Sequence, residues 1–146
     1  MKIALGSDHA GFQAKEALKL ALATAGHVVE DLGTKSTESV DYSDFGLRVA
    51  RAVSEGAADR GIAICGTGIG MCIAANKVRG IRAAVAHDAF TAEMSRRHND
   101  ANVLCLGARL LAEDRIRELS RLWLETPFEG GRHERRIGRI SDYEKG

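Results

Sequence analysis

The chain has 146 residues, 45% hydrophobic and 28% charged, with one proline and a formal net charge of +1. These are ordinary globular values for one compact domain, which buries roughly two thirds of the surface its unfolded form exposes. They leave no general field to attract nucleic acid or anionic lipid, so an anionic ligand must be held by a local cluster.

The first apolar run, Ile3-Ala4-Leu5-Gly6-Ser7, reads as a strand. The start, Met1-Lys2-Ile3-Ala4-Leu5-Gly6, is too short and too soon broken for a signal peptide, and no apolar stretch approaches the roughly 20 residues of a membrane helix. The cytoplasm is the expected compartment. A helix follows, with Ala14, Ala17, Leu18, Ala21, Leu22 and Ala25 at spacings of three and four. The same alternation returns with strands near His27–Asp31, Gly61–Cys65, Ala83–His87 and Val103–Leu106, each followed by a helical segment. Phe45, Val49, Ala52 and Val53 stripe the second helix, and Ala112, Ile116, Leu119 and Trp123 the fifth, each opposite a charged face.

Strict βα alternation with short connections predicts an α/β, doubly wound (Rossmann-like) five-stranded parallel sheet in the order 2-1-3-4-5, with helices on both faces. Thr126-Pro127-Phe128-Glu129-Gly130-Gly131 should break the chain. The tail, about 127–146, is too short for another βα unit. It is expected to dock as a short helix anchored by Ile137 and Ile140, across a homodimer interface.

Ligands of such sheets sit beyond the carboxyl ends of the strands, where strand order reverses. That selects Ser7-Asp8-His9-Ala10-Gly11 and Cys65-Gly66-Thr67-Gly68-Ile69-Gly70. In the second loop Gly66, Gly68 and Gly70 make a backbone cradle for an anion or oxyanion a better reading than a plain turn. Neither dinucleotide nor Walker spacing fits: Met71 stands where the former needs a small residue, and no Gly-Lys-Ser/Thr follows. Asp88 is a helix N-cap rather than a ribose ligand.

Cys65 lies against the next helix N-terminus, where the positive dipole end favours a thiolate; Cys72 and Cys105 lack such a setting and read as structural. Asp8 and His9 flank the cradle, as substrate ligands or as a cap and a surface group. His98 ends the row Phe90, Met94, His98, with Asn99 beside it, as a catalytic group or a dipole-compensating helix end. In the tail, Arg132 and Arg136 are four apart and could clamp a phosphate, while Glu134 argues against nucleic acid. The three cysteines lack CxxC spacing and the five histidines show no helix-spaced ligand pair, so no metal and no cofactor are expected.

Read in order, Gly6-Ser7-Asp8-His9-Ala10-Gly11, Cys65-Gly66-Thr67-Gly68-Ile69-Gly70-Met71 with Ala74-Ala75-Asn76-Lys77, His98-Asn99-Asp100-Ala101-Asn102 and the Arg132-to-Arg136 segment resemble the type B ribose-5-phosphate isomerases and their galactose-6-phosphate and allose-6-phosphate relatives. The resemblance implies Cys65 as the base that shuttles a proton between sugar carbons, with Thr67 and the glycine-loop amides stabilising an enediolate. It implies that His98 opens the ring, and that Asp8 and Asn99 contact sugar hydroxyls. His9, Arg109, Arg132 and Arg136 would hold the phosphate, some of them from the second subunit of a dimer or dimer of dimers, and Tyr42 matches an aromatic position near the substrate.

Some branches use a glutamate where Met71 stands; methionine cannot be a base, which agrees with the cysteine. The expected partner is a phosphorylated pentose, with a hexose phosphate as the alternative substrate and a non-catalytic sugar-phosphate or nucleotide sensor as the alternative class.

Overall fold

In a computed structural model describing residues 1–146, the chain runs β1 (Lys2–Ser7), α1 (Phe12–Thr24), β2 (Val28–Asp31), α2 (Tyr42–Ser54), β3 (Arg60–Cys65), α3 (Ile69–Ala75), β4 (Ala83–Val85), α4 (Ala89–Arg97), β5 (Val103–Gly107), α5 (Glu113–Glu125) and α6 (Arg132–Lys145). Every strand pair is parallel. The period-2 alternation of side chains divides the core in two. Ile3, Leu5, Ile62, Ile64, Leu104 and Leu106 face α1, α4 and α5, where Leu18, Leu22, Ile116, Leu119 and Trp123 complete one layer. Ala4, Ala63, Cys65, Val103 and Cys105 face α2 and α3, packed with Phe45, Val49, Met71 and Ala75.

The strand order is β2-β1-β3-β5-β4, not the expected 2-1-3-4-5. The cause lies in the two strands themselves. β5 offers five fully buried residues and pairs along both edges, whereas β4 is three residues of half-buried Ala83-Ala84-Val85, fit only for an edge. The exchange leaves the reversal between β1 and β3 in place, and it moves the loop after β5 next to the end of β3.

Lys15 on α1 departs from what its charge suggests, for it is completely buried. Its ammonium donates to Asp31 Oδ2 at 2.7 Å and Glu16 Oε1 at 2.9 Å, while Asp31 Oδ1 accepts the Gly33 amide at 3.0 Å. The buried cation thereby fastens the start of the loop that runs from β2 to α2.

The tail breaks where expected: Thr126 is extended, Pro127 follows, and Gly130 and Gly131 have φ of +71° and +58°. Within its own chain the tail is held elsewhere than at the expected pair of isoleucines, which stay available to a second copy. Ile140 is 58% exposed and Ile137 half-buried, whereas His133 is the one buried residue of α6. At the far end the Glu144 carboxylate accepts the Gly80 amide at 2.9 Å. On α4 the row of Phe90, Met94 and His98 is likewise no core stripe, because Phe90 is 71% exposed and the buried face is Ala92, Ser95 and Arg96.

Candidate active site

The crevice at the β1–β3 reversal is a cleft of about 460 Å³ whose walls include Asp8, His9, Tyr42, Cys65, Gly66, Thr67, Gly70 and Arg109. Each wall has a local cause. The β1 loop is pulled onto β3 by the Asp8 amide, which donates to the Ile64 carbonyl at 3.2 Å, and Gly11 packs so closely that a Cβ there would lie 2.5 Å from the same oxygen. The loop after β5 arrives because the Ala108 and Arg109 amides donate to the Cys65 and Gly66 carbonyls at 2.8 and 3.0 Å. Those two bonds require β5 beside β3.

Cys65 ends β3 with only 4% of its surface exposed, yet it lines the cleft floor. Its Sγ accepts the Gly68 amide at 3.2 Å. Gly68 is the N-cap of α3, with φ of +82°, so its left-handed turn aims that amide back at the sulfur. Thr67 Oγ1 accepts the Ile69 amide at 3.3 Å, leaving the hydroxyl proton free to donate outward. The next two amides, Gly70 and Met71, have no partner within the chain, as the first turn of a helix dictates.

The other glycines serve side chains rather than the backbone cradle alone. A Cβ on Gly66 would meet the Arg109 guanidinium at 3.2 Å, and one on Gly70 would lie 2.5 Å from the Tyr42 ring. Arg109 and Tyr42 therefore close over the loop only because both positions lack side chains.

Asp8 is 5% exposed; its Oδ1 accepts the Gly11 amide at 3.1 Å, so it shapes the loop while Oδ2 takes no intramolecular bond. His9 Nδ1 lies 3.2 Å from the Val40 amide, which can only donate. Nδ1 is therefore an acceptor, and the ring proton sits on Nε2, available to an anion.

The structure does not bring His98, Asn99, Arg132 or Arg136 into this cleft. They form a second group. His98 caps the C-terminus of α4, and the following turn, with Asp100 at φ of +45°, is pinned by Arg96 Nη1 to Asp100 Oδ1 at 2.7 Å and Arg82 Nε to the Asn99 carbonyl at 3.0 Å. Arg132 and Arg136 are exposed on the first turns of α6. Sequence reasoning missed His133, which stacks on His98 with centroids 4.3 Å apart and planes at 12°. Burial pushes the His133 imidazole below its ordinary value, with His98 adding to the effect.

The remaining sulfurs are set apart from the cleft. Cys72 Sγ donates to the Ala83 carbonyl at 3.3 Å and accepts from Asn76. Its hydrogen bond with Cys105 brings the Cys72 thiol down to about 7 against the opposing effect of burial, while the same bond, with burial, pushes Cys105 up. Asp88 is the expected cap, accepting the Thr91 amide at 2.7 Å in a reciprocal capping box.

A model of the Ribose/Galactose Isomerase family matches residues 3–140. Ribose-5-phosphate isomerase B of Escherichia coli is 44% identical over 144 residues, covering 99% of this chain and 97% of that protein. D-erythrulose-4-phosphate isomerase of Pectobacterium atrosepticum is 41% identical over 145 residues, covering 99% and 95%. The structure of ribose-5-phosphate isomerase B from Clostridium thermocellum is similar with a TM-score of 0.97 at 53% identity, covering 99% and 98%.

Proposed function

We propose, on the premise that this chain belongs to the ribose/galactose isomerase family, that it interconverts ribose 5-phosphate and ribulose 5-phosphate through an enediolate, with Cys65 as base and no metal in the reaction. The observation that carries this reading is the Cys65 sulfur on the cleft floor, receiving the Gly68 amide at 3.2 Å with the unpartnered Gly70 amide next in line. A donated N–H steadies a thiolate, and amides already oriented cost no reorganisation as oxyanion charge develops.

The reaction follows from these parts. His98 moves the anomeric hydroxyl proton to the ring oxygen as the bond from C1 to that oxygen breaks and the ring opens. The Cys65 thiolate then takes the proton from C2 of the open-chain aldose, and the electron pair passes to the carbonyl oxygen, giving the enediolate. Thr67 Oγ1 and the free Gly70 amide hold the two oxygens. The thiol returns its proton to C1 while the O2 hydroxyl proton passes to O1, and ribulose 5-phosphate leaves. Asp8 Oδ2 and Asn99 bind hydroxyls, Tyr42 walls the sugar, and His9 Nε2–H with Arg109, Arg132 and Arg136 holds the phosphate.

This machinery needs His98, Asn99, Arg132 and Arg136 at a cleft they do not line in their own chain, so the proposal includes a homodimer in which the second copy supplies them. Apolar side chains support it. Tyr42, Ile69 and Ile73 at the cleft are 46, 52 and 60% exposed, and Ile140 and Tyr143 on α6 are 58 and 89% exposed. No helix is long and apolar enough to cross a membrane, and three free thiols fit the cytoplasm as the proposed compartment.

Purified chain is to be assayed with tetrose, pentose and hexose phosphates in chelator, beside Cys65→Ala. Greatest kcat/KM on ribose 5-phosphate and its loss in the variant are expected; preference for a hexose phosphate, or full activity without the sulfur, would refute the reading. Mixing Cys65→Ala with His98→Ala chains should regenerate about a quarter of wild-type activity if sites are shared between subunits, and none if each chain is self-sufficient.

A further inference from the structure

We infer that His98, Glu129 and His133 form a binding site for a transition-metal ion of the zinc class, and that filling it silences the ring-opening histidine. His98, at the end of α4, lies far in the sequence from Glu129 in the chain break and from His133, four residues further on in the first turn of α6. The fold brings one donor atom from each to within 4.8 Å of the others. A second observation points to a ligand. His133 is 4% exposed, and its Nε2 makes no hydrogen bond, an orphan donor-acceptor held 3.6 Å from Glu129 Oε1.

Two imidazole nitrogens and a carboxylate oxygen are a ligand set suited to zinc, with water or a sugar hydroxyl in the fourth position. Bonds of about 2.0–2.2 Å in a tetrahedron place donors roughly 3.4 Å apart, so the cluster must contract. It can do so around the fixed His133, because Glu129 is exposed and His98 half-buried. The His98–His133 stack must splay for both rings to aim at one ion. The C-terminal end of α4 favours a cation there, whereas Arg132 and Arg136 oppose it, acting on His133 in the direction that resists positive charge. These opposing features hold the expected affinity well short of that of a structural zinc site. By the same donor chemistry copper, nickel and cobalt should bind and magnesium and calcium should not.

Metal binding stands apart from the proposed function; the inhibition rests on it. Calorimetry with zinc chloride and the full chain should give one ion per chain, with binding weakened at least ~10-fold in Glu129→Gln and in His133→Phe and unchanged in Cys72→Ser. Absence of saturable binding, equal affinity in both variants, or loss in Cys72→Ser would overturn the site. Should His133→Phe fail to fold, Glu129→Gln, at an exposed side chain, decides alone. Zinc should also stop ribose 5-phosphate turnover at the concentration that fills the site, reversibly with chelator. Binding without inhibition would overturn the blocking role, and absence of any turnover in the metal-free chain would defeat the functional reading while leaving the calorimetric result intact.

Discussion

Gly68→Ala tests whether the turn that aims an amide at Cys65 is as tightly specified as its surroundings require. Gly68 has φ of +82°, and a Cβ there would stand 3.0, 3.1 and 3.2 Å from backbone atoms of Leu106 and Cys105. The left-handed conformation costs an alanine about 1–2 kcal/mol. Crowding against a central strand that cannot yield adds about 1–3 kcal/mol. The sum, about 2–5 kcal/mol, converts through an unfolding entropy of about 2.1 cal/mol/K per residue into a loss of roughly 7–16 °C in Tm.

Gly26→Ala is the internal control, because Gly26 has φ of +93° and nothing within 4 Å of a Cβ; it should show the conformational cost alone. Urea unfolding at one fixed protein concentration, with kcat measured well below each Tm, separates the two effects. Gly68→Ala should lose more stability than Gly26→Ala by at least ~1 kcal/mol and lose activity while folded, since relief of the clash drags the amide off the sulfur. Equal losses in the two variants, or full activity in Gly68→Ala, would refute the reasoning.

Asp31→Asn removes the shortest partner of the buried Lys15 and should cost about 3 kcal/mol by urea denaturation, the low end for a broken buried pair because Glu16 remains. Burial works to raise the Asp31 carboxyl, but the bonds from Lys15 and Lys19 overcome it and hold the group below the usual range. A depressed folded value gives stability that is present above the unfolded value near 3.9 and lost as pH falls through the folded one, so Asp31→Asn should flatten the acid limb of the stability curve. Cys72 should be alkylated by iodoacetamide with a rate that reaches half its maximum near pH 7, while Cys105 stays unlabelled, as peptide mass spectrometry will show.

Helix and strand positions were legible because short unbroken apolar runs alternate with stripes at a period of 3.6 along this chain, and the switch-point rule then placed Asp8, His9 and Cys65 beside one cleft. What local pattern does not carry is order among strands of similar composition. β5 differs from β4 in extent and in completeness of burial, and both are fixed by tertiary pairing. Lys15 was invisible for the same reason: its partner Asp31 comes from a neighbouring strand, so a helix lysine reads as solvated until the fold supplies the carboxylate. His133 hid inside a basic run whose other members are exposed, and its pairing with His98 joins segments 35 positions apart. Asp8 is not the helix cap the sequence offered, because α1 is entered at Gly11 without a side-chain cap; one of its carboxylate oxygens fastens the loop and the other is free.

Solvent hydrogen exchange on the sugar reaches the proposed chemistry most directly. With ribose 5-phosphate in deuterium oxide, wild-type chain should carry deuterium into the carbon-bound positions at C1 and C2, followed by proton NMR. Cys65→Ala should slow that wash-in by at least ~100-fold while still binding the phosphorylated sugar. Wash-in at the wild-type rate without the sulfur would contradict a cysteine base.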